Sequence, residues 1–402
     1  MARPAALPLL ALIAIGAAAY GARGSIGLFV DPWEDLFDRG RAAVSLVASI
    51  GFLAFGAGQI LAGSLLARRP VGLLLCGGVL ICASGFVVAA FATELPVAIA
   101  AIGIVASFGA GLCGIVTLSY VVTNLYRERH GALFGLLSAA TAGGPIVVLP
   151  FAAIALEASL RTALLACAAF MVVAGLLGLV ALHDLPAPPV RAAAQAGIEA
   201  PREGLRAVAG DRRFWFLLLP FMVCGYTTTG LIDPHLIPYA TGHHIGTGTA
   251  SFIASVLAGF NVCGVMLAGI LTDRVDRGLL LAGIYGMRGL TLLALPLLSS
   301  PTELLVFAMA FGLADYATVP PTTSLARSSF APGTWALALS IISASHGVGA
   351  SIGAIAGGWL FDLTGGYGAY FVSAAFALAA AAFMSLSLRH TRAPGAPVPQ
   401  PV

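Results

Sequence analysis

The sequence contains no lysine, and charged residues of any kind are few. All 20 basic residues are arginines, and Asp, Glu, Lys and Arg together make up 9% of the 402 residues, whereas a soluble domain carries about 25%. The absence of lysine excludes Schiff-base chemistry at a lysine, a P-loop phosphate site and a lysine general base. A net charge of +3 without a clustered basic face also argues against a nucleic-acid partner.

Cysteine is scarce as well, and its placement excludes further classes of site. The 6 cysteines lie inside apolar stretches, and none belongs to a CxxC pair or stands near a matched histidine. They are expected to be buried packing residues rather than disulfide partners or metal ligands. No group of carboxylates, histidines and cysteines has ligand spacing, so no metal and no other cofactor is predicted.

Apolar residues are abundant and make up 59% of the chain. A transmembrane helix needs about 20 mostly apolar residues, and twelve such runs lie between breaks of charge, proline and glycine. An all-α membrane protein is therefore expected. The first run is too long for a signal-peptide core and is interpreted as an uncleaved span. The predicted spans are 7–30, 42–66, 72–92, 97–122, 131–155, 161–182, 213–240, 248–271, 279–299, 303–324, 335–361 and 367–388.

The distribution of arginines predicts the orientation in the membrane. If the N-terminus is cytoplasmic, fifteen arginines fall on the cytoplasmic side, and only Arg39, Arg41 and Arg161 fall on the other. This asymmetry is a strong positive-inside signal, so both termini are expected in the cytoplasm. Two arginines, Arg23 and Arg288, lie within spans and are not explained by topology.

One hydrophilic segment divides the chain into two halves. Residues 183–212 are rich in proline and charge and lie between the sixth and seventh spans. They predict a cytoplasmic linker between an N-terminal six-helix bundle, 1–182, and a C-terminal six-helix bundle, 213–388. The proline-rich tail, 389–402, is predicted to be disordered. There is no extramembrane domain that could house an enzyme, so no enzymatic activity is expected.

The two halves share an internal repeat at an offset of 206 residues. Ungapped identities run from Ser45, matched with Ser251, to Gly77, matched with Gly283. A transporter built from two related bundles around a central site has this signature. The matched glycines within this stretch include Gly58 with Gly264, Gly63 with Gly269, and Gly72 with Gly278.

The loop inside the repeat carries the most specific motif. Residues 269–278 read GILTDRVDRG and resemble the G-x-x-x-D-R-x-x-R signature of the major facilitator superfamily, and residues 63–69 are a degraded copy. The resemblance implies the major facilitator fold, in which twelve transmembrane helices form two pseudo-symmetric six-helix bundles. It also implies a cytoplasmic gate. The residues of this predicted gate are Gly63, Arg68, Gly269, Asp273, Arg274 and Arg277.

The gate motif carries a physical expectation. The glycine should let two helices approach closely, and the aspartate and arginines should form a charge network that holds one conformation closed and breaks in the other. Ala67 replaces the aspartate in the N-terminal copy, so the network there should be weaker or use other partners.

Several stretches resemble bacterial relatives of the monocarboxylate transporter family. Residues 20–29 are similar to the segment where those carriers place a basic residue for the substrate carboxylate, and residues 126–135 resemble their aromatic, basic and glycine pattern. The resemblance implies proton-coupled symport of a monocarboxylate-like anion across the bacterial inner (plasma) membrane. Animal members place an aspartate and an arginine four residues apart in helix 8, where this chain has Asn261 and Val265. Any charge that binds a carboxylate must therefore come from elsewhere.

Ionisable groups at membrane depth cost several kcal/mol unless they are paired or hydrated, so each is a functional candidate. Arg23 is predicted to bind the substrate, with a structural ion pair as the alternative. Asp233 and His235 are candidates for a proton site or an outer gate, and the alternative is a solvated mouth. Arg288 and Asp315 fall at similar depths, which predicts an ion pair. The pair is either a structural salt bridge or one that protonation of Asp315 would release, coupling a proton to the conformational change.

Further substrate-binding candidates are polar side chains in the predicted cavity helices. His346 is either a substrate hydrogen-bond donor or a packing histidine. The other candidates, for which packing is the alternative, are Tyr120, Tyr226, Asn261 and Tyr316.

Two alternative functions remain open. Gly143, Gly144 and Pro145 preserve half of a motif found in drug/proton antiporters, but Ala140 stands at its leading glycine. That resemblance implies a proton-driven exporter of amphiphilic drugs or metabolites. A non-transporting membrane sensor is the second alternative. The expected partners are a small organic anion, protons and the lipid bilayer, and the protein is expected to be a monomer.

Overall fold

The computed structural model describes residues 6–66, 69–114, 117–118, 137, 139–182, 202–331 and 334–389. Within these ranges the chain forms helices and connecting turns without any strand. Twelve helices are long and apolar enough to cross a membrane, which confirms the predicted all-α fold. In chain order, α1 to α12 are Leu7–Phe37, Arg41–Leu65, Val71–Ala89, Leu95–Leu112, Ala139–Ala158, Leu160–Leu182, Arg212–Gly242, Thr247–Thr272, Arg277–Leu297, Pro301–Ser329, Leu337–Thr364 and Gly368–Leu386.

The segments outside the spans differ in part from the prediction. The acidic segment after the first span is helical to Phe37 and ends at Asp38, whose φ of 49° is left-handed. Within the predicted linker, Arg202–Gly210 forms a helix that packs against the start of α7, where Trp215 donates a hydrogen bond to the Ala209 carbonyl at 2.8 Å. The domain boundaries stay a prediction, because 183–201 and 390–402 lie outside the described residues.

Three of the helices that meet near the bundle centre are interrupted there. In α1 a 3-10 turn, Ile26–Phe29, follows Gly24. In α7 a π-helical turn, Thr228–Ile232, precedes Asp233 and Pro234. In α10 the helix stops at Asp315 and restarts at Val319, before two prolines. Proline removes a backbone donor and clashes with the preceding turn, and π turns are frequent at functional sites. The interruptions thus fall beside Arg23, Asp233 and Asp315.

The sequence repeat corresponds to the same helix contacts in both halves. A Cβ at Gly58 would overlap the Phe108 carbonyl oxygen on α4, and a Cβ at Gly264 would overlap the Leu313 carbonyl oxygen on α10. Only glycine permits so close a backbone approach. Two further repeat partners behave alike, because Gly72 packs on the backbone of Leu182 and Gly278 on that of Leu388.

The gate glycines differ from this pattern, and the close approach predicted for them is wrong in this conformation. No described atom lies within 4 Å of a Cβ built at Gly63 or at Gly269. The glycines that bring helices together lie about one and a half turns earlier, at Gly58 and Gly264, because that face of each helix turns toward its partner within the bundle. Gly63 and Gly269 have open space instead.

Within the part of the chain that the structure describes, three helix pairs connect the two halves. In the α2–α11 pair, Ser49 and Ser351 lie 2.9 Å apart between their hydroxyl oxygens. In the α5–α8 pair, a Cβ at Gly259 would lie 3.8 Å from the Ile146 side chain. In the α1–α7 pair, a Cβ at Gly27 would overlap the Asp233 carbonyl oxygen. Gly27 and Asp233 are separated by the repeat offset, so equivalent points of the two halves touch there.

Replacing Gly264 by alanine should destabilise the fold by about 1–3 kcal/mol, the usual cost of overpacking a helix contact. The matched control is Gly269→Ala, the same change in the same helix at a position with open space. That control should be neutral or stabilising, because alanine favours a helix over glycine by roughly 1 kcal/mol. Thermal unfolding in detergent measures both, and equal melting temperatures would contradict the close contact at Gly264.

Candidate functional site

Arg23 lies at the interface between the halves and donates no hydrogen bond to any residue that the structure describes. It occupies the last turn of the first helical stretch of α1, and its side chain is 13% exposed. The guanidinium carbon sits 4.6 Å from the Phe55 ring centroid and 5.1 Å from that of Phe52, both on α2. No described residue accepts a hydrogen bond from it. A guanidinium has five donors, so the aromatic rings position a cation whose N–H groups remain available to an anion.

Asp233 is the acidic partner of Arg23 and belongs to the other half. Its Oδ2 atom lies 3.9 Å from Arg23 Nη2, and its side chain is 25% exposed. This separation is at the limit of an ion pair and exceeds a direct hydrogen bond. Asp233 directly follows the π turn of α7 and precedes Pro234. Arg23 and Asp233 therefore form a long ion pair across the bundle interface.

Other predicted residues gather around this ion pair. Electrostatic interactions connect Asp233 with His346 and Asp315, and Tyr316 with Asp233 and Arg23. The His346 ring packs against the Phe221 ring at a centroid distance of 5.1 Å. The structure thus brings together charges from both halves beside the interrupted helices α1, α7 and α10.

Arg288 and Asp315 do not form the predicted ion pair, which is a correction to the sequence analysis. No nitrogen of Arg288 lies within 4 Å of an Asp315 oxygen among the described ion pairs. The buried Arg288 reaches α7 instead, where it donates to the Cys224 Sγ at 3.1 Å and to the hydroxyl of Thr227. Asp315 accepts a hydrogen bond from Asn261 Nδ2 at 3.0 Å. Asn261, predicted to bind substrate, is thus the direct partner of a carboxylate.

Tyr226 does not point into the central cluster, contrary to the prediction. Its ring packs edge-on against Tyr370 of α12 at a centroid distance of 5.4 Å. In a regular helix Tyr226 and Asp233, seven residues apart, would share a face. The π turn between them accommodates an extra residue and rotates the preceding segment, which directs Tyr226 toward α12. The predicted Tyr120 lies outside the described residues.

A second charge cluster, which we term the Arg41 lock, joins the halves at the predicted outer end. Arg41 is 7% exposed and donates to Glu34 through Nε at 2.9 Å and through Nη2, and to Asp31 Oδ1 at 2.6 Å. From the other half, Tyr367 accepts a hydrogen bond from Arg41 Nη1 at 2.9 Å. The centroid of the Phe361 ring lies 4.2 Å from the guanidinium carbon of Arg41. The hydrogen bonds to Glu34, Asp31 and Tyr367 use four of the five N–H donors of Arg41.

The Arg41 lock also involves the backbone of α2. The two carboxylate oxygens of Asp362, on α11, accept hydrogen bonds from the backbone nitrogens of Arg41 at 3.0 Å and Ala42 at 2.9 Å. The residue at the N-cap position of α2 is Gly40, which has no side chain to cap the helix. A residue of the other half therefore satisfies the first free N–H groups of α2.

His235 belongs to this outer lock and not to the Arg23 cluster. Its Nε2 lies 2.9 Å from the Ala354 carbonyl and its Nδ1 lies 3.0 Å from the Tyr367 hydroxyl. A carbonyl only accepts, so Nε2 carries the proton and Nδ1 accepts from Tyr367. Burial raises the pKa of Tyr367, which keeps the phenol neutral and able to donate. Both nitrogens of the fully buried His235 are satisfied.

Sequence analysis missed the Arg41 lock, because Arg41 was interpreted only as a topological charge. The sequence does contain a signal for its acidic partners. Asp31 and Glu34 precede Arg41 by ten and seven residues, so a short turn between them can bring their carboxylates to Arg41. The contribution of Tyr367 and Asp362 was not visible, because they are more than 300 positions away in the chain.

Comparison with known proteins places this geometry in a family. The model of the Major Facilitator Superfamily matches residues 12–311 and 221–401, which together cover nearly the whole chain. The chain belongs to the major facilitator superfamily. It is therefore a multi-pass membrane transporter and not an enzyme.

Relatives of this facilitator include both uncharacterised and named transporters. An uncharacterised MFS-type transporter, YcxA, of Bacillus subtilis is 25% identical over 86% of this chain and 85% of its own length. Monocarboxylate transporter 12-B of Danio rerio is 28% identical over 86% of this chain and 77% of its own. Monocarboxylate transporter 13 of Rattus norvegicus is 28% identical over 92% of this chain and 86% of its own length.

Solved structures share the fold at low sequence identity. The nucleoside transporter NupG superposes with a TM-score of 0.77 at 16% identity, covering 95% of this chain and 99% of its own. A bacterial homolog of the human lysosomal transporter Spinster, in an inward-facing and unoccupied conformation, superposes with a TM-score of 0.72 at 16% identity. The match covers 95% of this chain and 93% of that structure's chain. At this identity the similarity establishes the fold alone.

The predicted cytoplasmic gate of this facilitator is only partly described. Arg277 donates to the Ser328 hydroxyl on α10 at 3.3 Å. Asp276, rather than Asp273, caps α9 by accepting from the Leu279 nitrogen at 2.9 Å. Within the described ranges, Asp273 forms no ion pair with Arg274 or Arg277, and Arg68 lies outside those ranges. The role of these residues as a gate stays a prediction.

Replacing Arg41 by glutamine should loosen the predicted outer end by about 1–2 kcal/mol, a five- to thirtyfold change in the ratio of closed to open molecules. Glutamine has no positive charge to neutralise Asp31 and Glu34, and it loses most of the hydrogen bonds that Arg41 donates within the lock. The contact between the two halves is therefore weakened. The readout is disulfide formation between cysteines introduced by Ser49→Cys and Ser351→Cys, with Cys263→Ser in the background. Arg39→Gln, an exposed neighbour, is the control. Equal crosslinking in both variants would exclude a locking role for Arg41.

Proposed function

We propose that this transporter moves a small, monocarboxylate-like organic anion together with protons, by alternating access to a central site. The observation that carries the proposal is Arg23, a cation at the interface between the halves with no hydrogen bond to any described residue. Its guanidinium geometry matches a carboxylate bidentately. The 3.9 Å separation from Asp233 means that an incoming carboxylate competes with a weak partner rather than with a close ion pair.

The surroundings of Arg23 support an organic anion rather than an inorganic one. Phe52, Phe55 and Tyr20 provide aromatic surface within about 6 Å of the guanidinium carbon. Such rings position the cation and offer apolar contact to a hydrocarbon body attached to the carboxylate. The monocarboxylate transporters among the relatives agree with this substrate class, but their low identity does not specify the molecule.

The contacts between the halves support a conformation closed at the predicted outer end. The Arg41 lock lies at that end, and the Ser49–Ser351 contact continues the closure along α2 and α11. If the positive-inside orientation holds, Arg23 is then reached from the cytoplasm. The inner-membrane location, the cytoplasmic termini and the monomeric state stay predictions.

The exporter alternative has less support, because packing explains its partial motif. Gly144 lies against the backbone of Ala17 and Gly21, and Gly24 faces the Pro145 ring. The glycine–proline break therefore seats α5 against α1, a role that does not depend on transport direction or on drug binding. The sensor alternative makes no use of a central arginine that has no hydrogen bond to any described residue.

Replacing Arg23 by glutamine should weaken anion binding by about 10- to 150-fold, because charge-assisted hydrogen bonds contribute about 1.5–3 kcal/mol. Arg23→Lys should be intermediate, since it keeps the charge but loses the bidentate fork. The measurement is ligand-induced thermal stabilisation over short-chain carboxylates, amino acids, sugars and lipophilic cations, followed by uptake into proteoliposomes with an imposed pH gradient.

Arg39→Gln, an exposed arginine, is the matched control and should bind like the unmodified protein. Stabilisation by lipophilic cations instead of carboxylates would favour the exporter. Normal carboxylate uptake by a folded Arg23→Gln variant would refute the role of Arg23. If the folded protein moves no tested carboxylate in either direction of the gradient, the proposed substrate class is wrong.

A further inference from the structure

Among the described residues of the neighbouring helices α8, α9 and α10, three amide, guanidinium or carboxylate side chains each have a buried polar atom without a hydrogen-bond partner. These atoms are Asn261 Oδ1, Arg288 Nε and Asp315 Oδ1, and the hydroxyls of Ser251 and Ser329 on the same helices also lack a partner. The amide, guanidinium and carboxylate residues are 3%, 0% and 1% exposed. Buried polar groups in proteins are nearly always paired, so each exception calls for an explanation. A carboxylate, an amide and a guanidinium with unsatisfied atoms in one region indicate a site with more than one arrangement.

Asp315 has one oxygen satisfied and one free. Its Oδ2 accepts from Asn261 Nδ2 at 3.0 Å, while Oδ1 has no partner. An ionised carboxylate held in the interior by a single hydrogen bond is costly. Asp315 is also the last residue of the helical stretch Pro301–Asp315, and the negative end of the helix dipole is unfavourable for an anion.

Two rearrangements satisfy the free atoms. A proton on Asp315 turns the carboxyl into a donor, and rotation of the Asn261 amide offers its free oxygen as the acceptor. Alternatively, an ionised Asp315 moves onto Arg288, whose Nε has no acceptor here. Asn261 therefore fits the protonated carboxyl, and Arg288 fits the ionised one.

Resting on the proposed proton-coupled transport, we propose that Asp315 is the residue that carries the proton. Asn261 is its positioning residue, and Arg288 is its partner when the proton has left. Arg288 now holds the α7 backbone at Cys224 and the Thr227 hydroxyl, directly before the π turn that leads to Asp233. Loss of the proton draws Arg288 away from α7 and frees the segment that positions Asp233 opposite Arg23.

The groups around Asp315 favour it over the other titratable residues. Arg288 of α9 and Cys224 and Asp233 of α7 interact with it electrostatically, as does its neighbour Tyr316. Asp233 is partly exposed and faces Arg23, so its charge is needed where the anion enters. His235 has both nitrogens engaged. Asp315 alone among these combines full burial with a free oxygen.

The principal test compares Asp315→Asn with the unmodified protein in proteoliposomes. Exchange of labelled for unlabelled carboxylate needs no net proton movement and should persist at a measurable rate. Accumulation driven by a pH gradient should fall to the level without a gradient. The matched variant Asp233→Asn, the same change in the neighbouring carboxylate, should alter anion affinity but keep its response to the gradient.

A second readout follows the proton directly and needs no substrate. Infrared difference spectra of the unmodified protein between acidic and alkaline pH should contain a buried carboxylic-acid C=O band that Asp315→Asn removes. In Asn261→Ala the band should remain with its pH midpoint moved downward, because the lost amide oxygen is the acceptor for the protonated carboxyl. An unchanged midpoint would refute the positioning role, because an asparagine with a merely structural role would not affect the titration of Asp315.

The outcomes separate the two proposals. Gradient-driven accumulation by Asp315→Asn, or persistence of the infrared band in that variant, would overturn the assignment of the proton to Asp315. Absence of any carboxylate exchange by the unmodified protein would refute the proposed function, and the infrared titration would still decide the proton site. If Asp315→Asn does not fold, the shift of the band in Asn261→Ala decides it.

Discussion

The cost of holding an ionised side chain in a low-dielectric interior constrains this structure more than any other interaction. The membrane supplies no water to compensate a charge, so each one needs a partner, an aromatic face or a cavity. Arg23 and Asp233 meet this requirement through aromatic rings and through each other, and Asp315 meets it in part through Asn261. All three charged residues lie where helices are interrupted. The interruptions of α1, α7 and α10 are thus the places where charge is tolerated, and the central site follows from them.

The sequence contains enough to predict the helices, the repeat and the family. Apolar runs of membrane length and the arginine-containing loop motif are local features, so they can be recognised without knowing which helices become neighbours. The partners of individual side chains are not local. A π turn in α7 rotates Tyr226 toward α12, and no periodicity argument includes the extra residue. Arg288 binds α7 rather than Asp315, and the similar depth of the two charges in the chain does not reveal this choice. The partner of Arg41 in the other half, Tyr367, is 326 residues away in the chain and becomes its neighbour only in the folded protein.

The repeat preserves packing more faithfully than it preserves chemistry. Gly58 and Gly264 seat their helices on equivalent partners, and so do Gly72 and Gly278. The charges do not follow this symmetry, since the N-terminal half contributes Arg23 while the C-terminal half contributes Asp233 and the buried cluster around Asp315. Equivalent scaffolds therefore carry unequal charges, a central arginine in one half and the central carboxylates in the other.

The hydrogen bonds from Asp362 to the first residues of α2 have a consequence for the energetics of motion. A helix cap contributes about 0.5–2 kcal/mol, and here the capping residue and the capped helix belong to different halves. In the proposed alternating access, separation of the halves at this end would expose the first turn of α2 to solvent and leave it free to fray. Opening would then carry the free-energy cost of an uncapped helix end, which water hydrogen-bonded to the free N–H groups would offset in part.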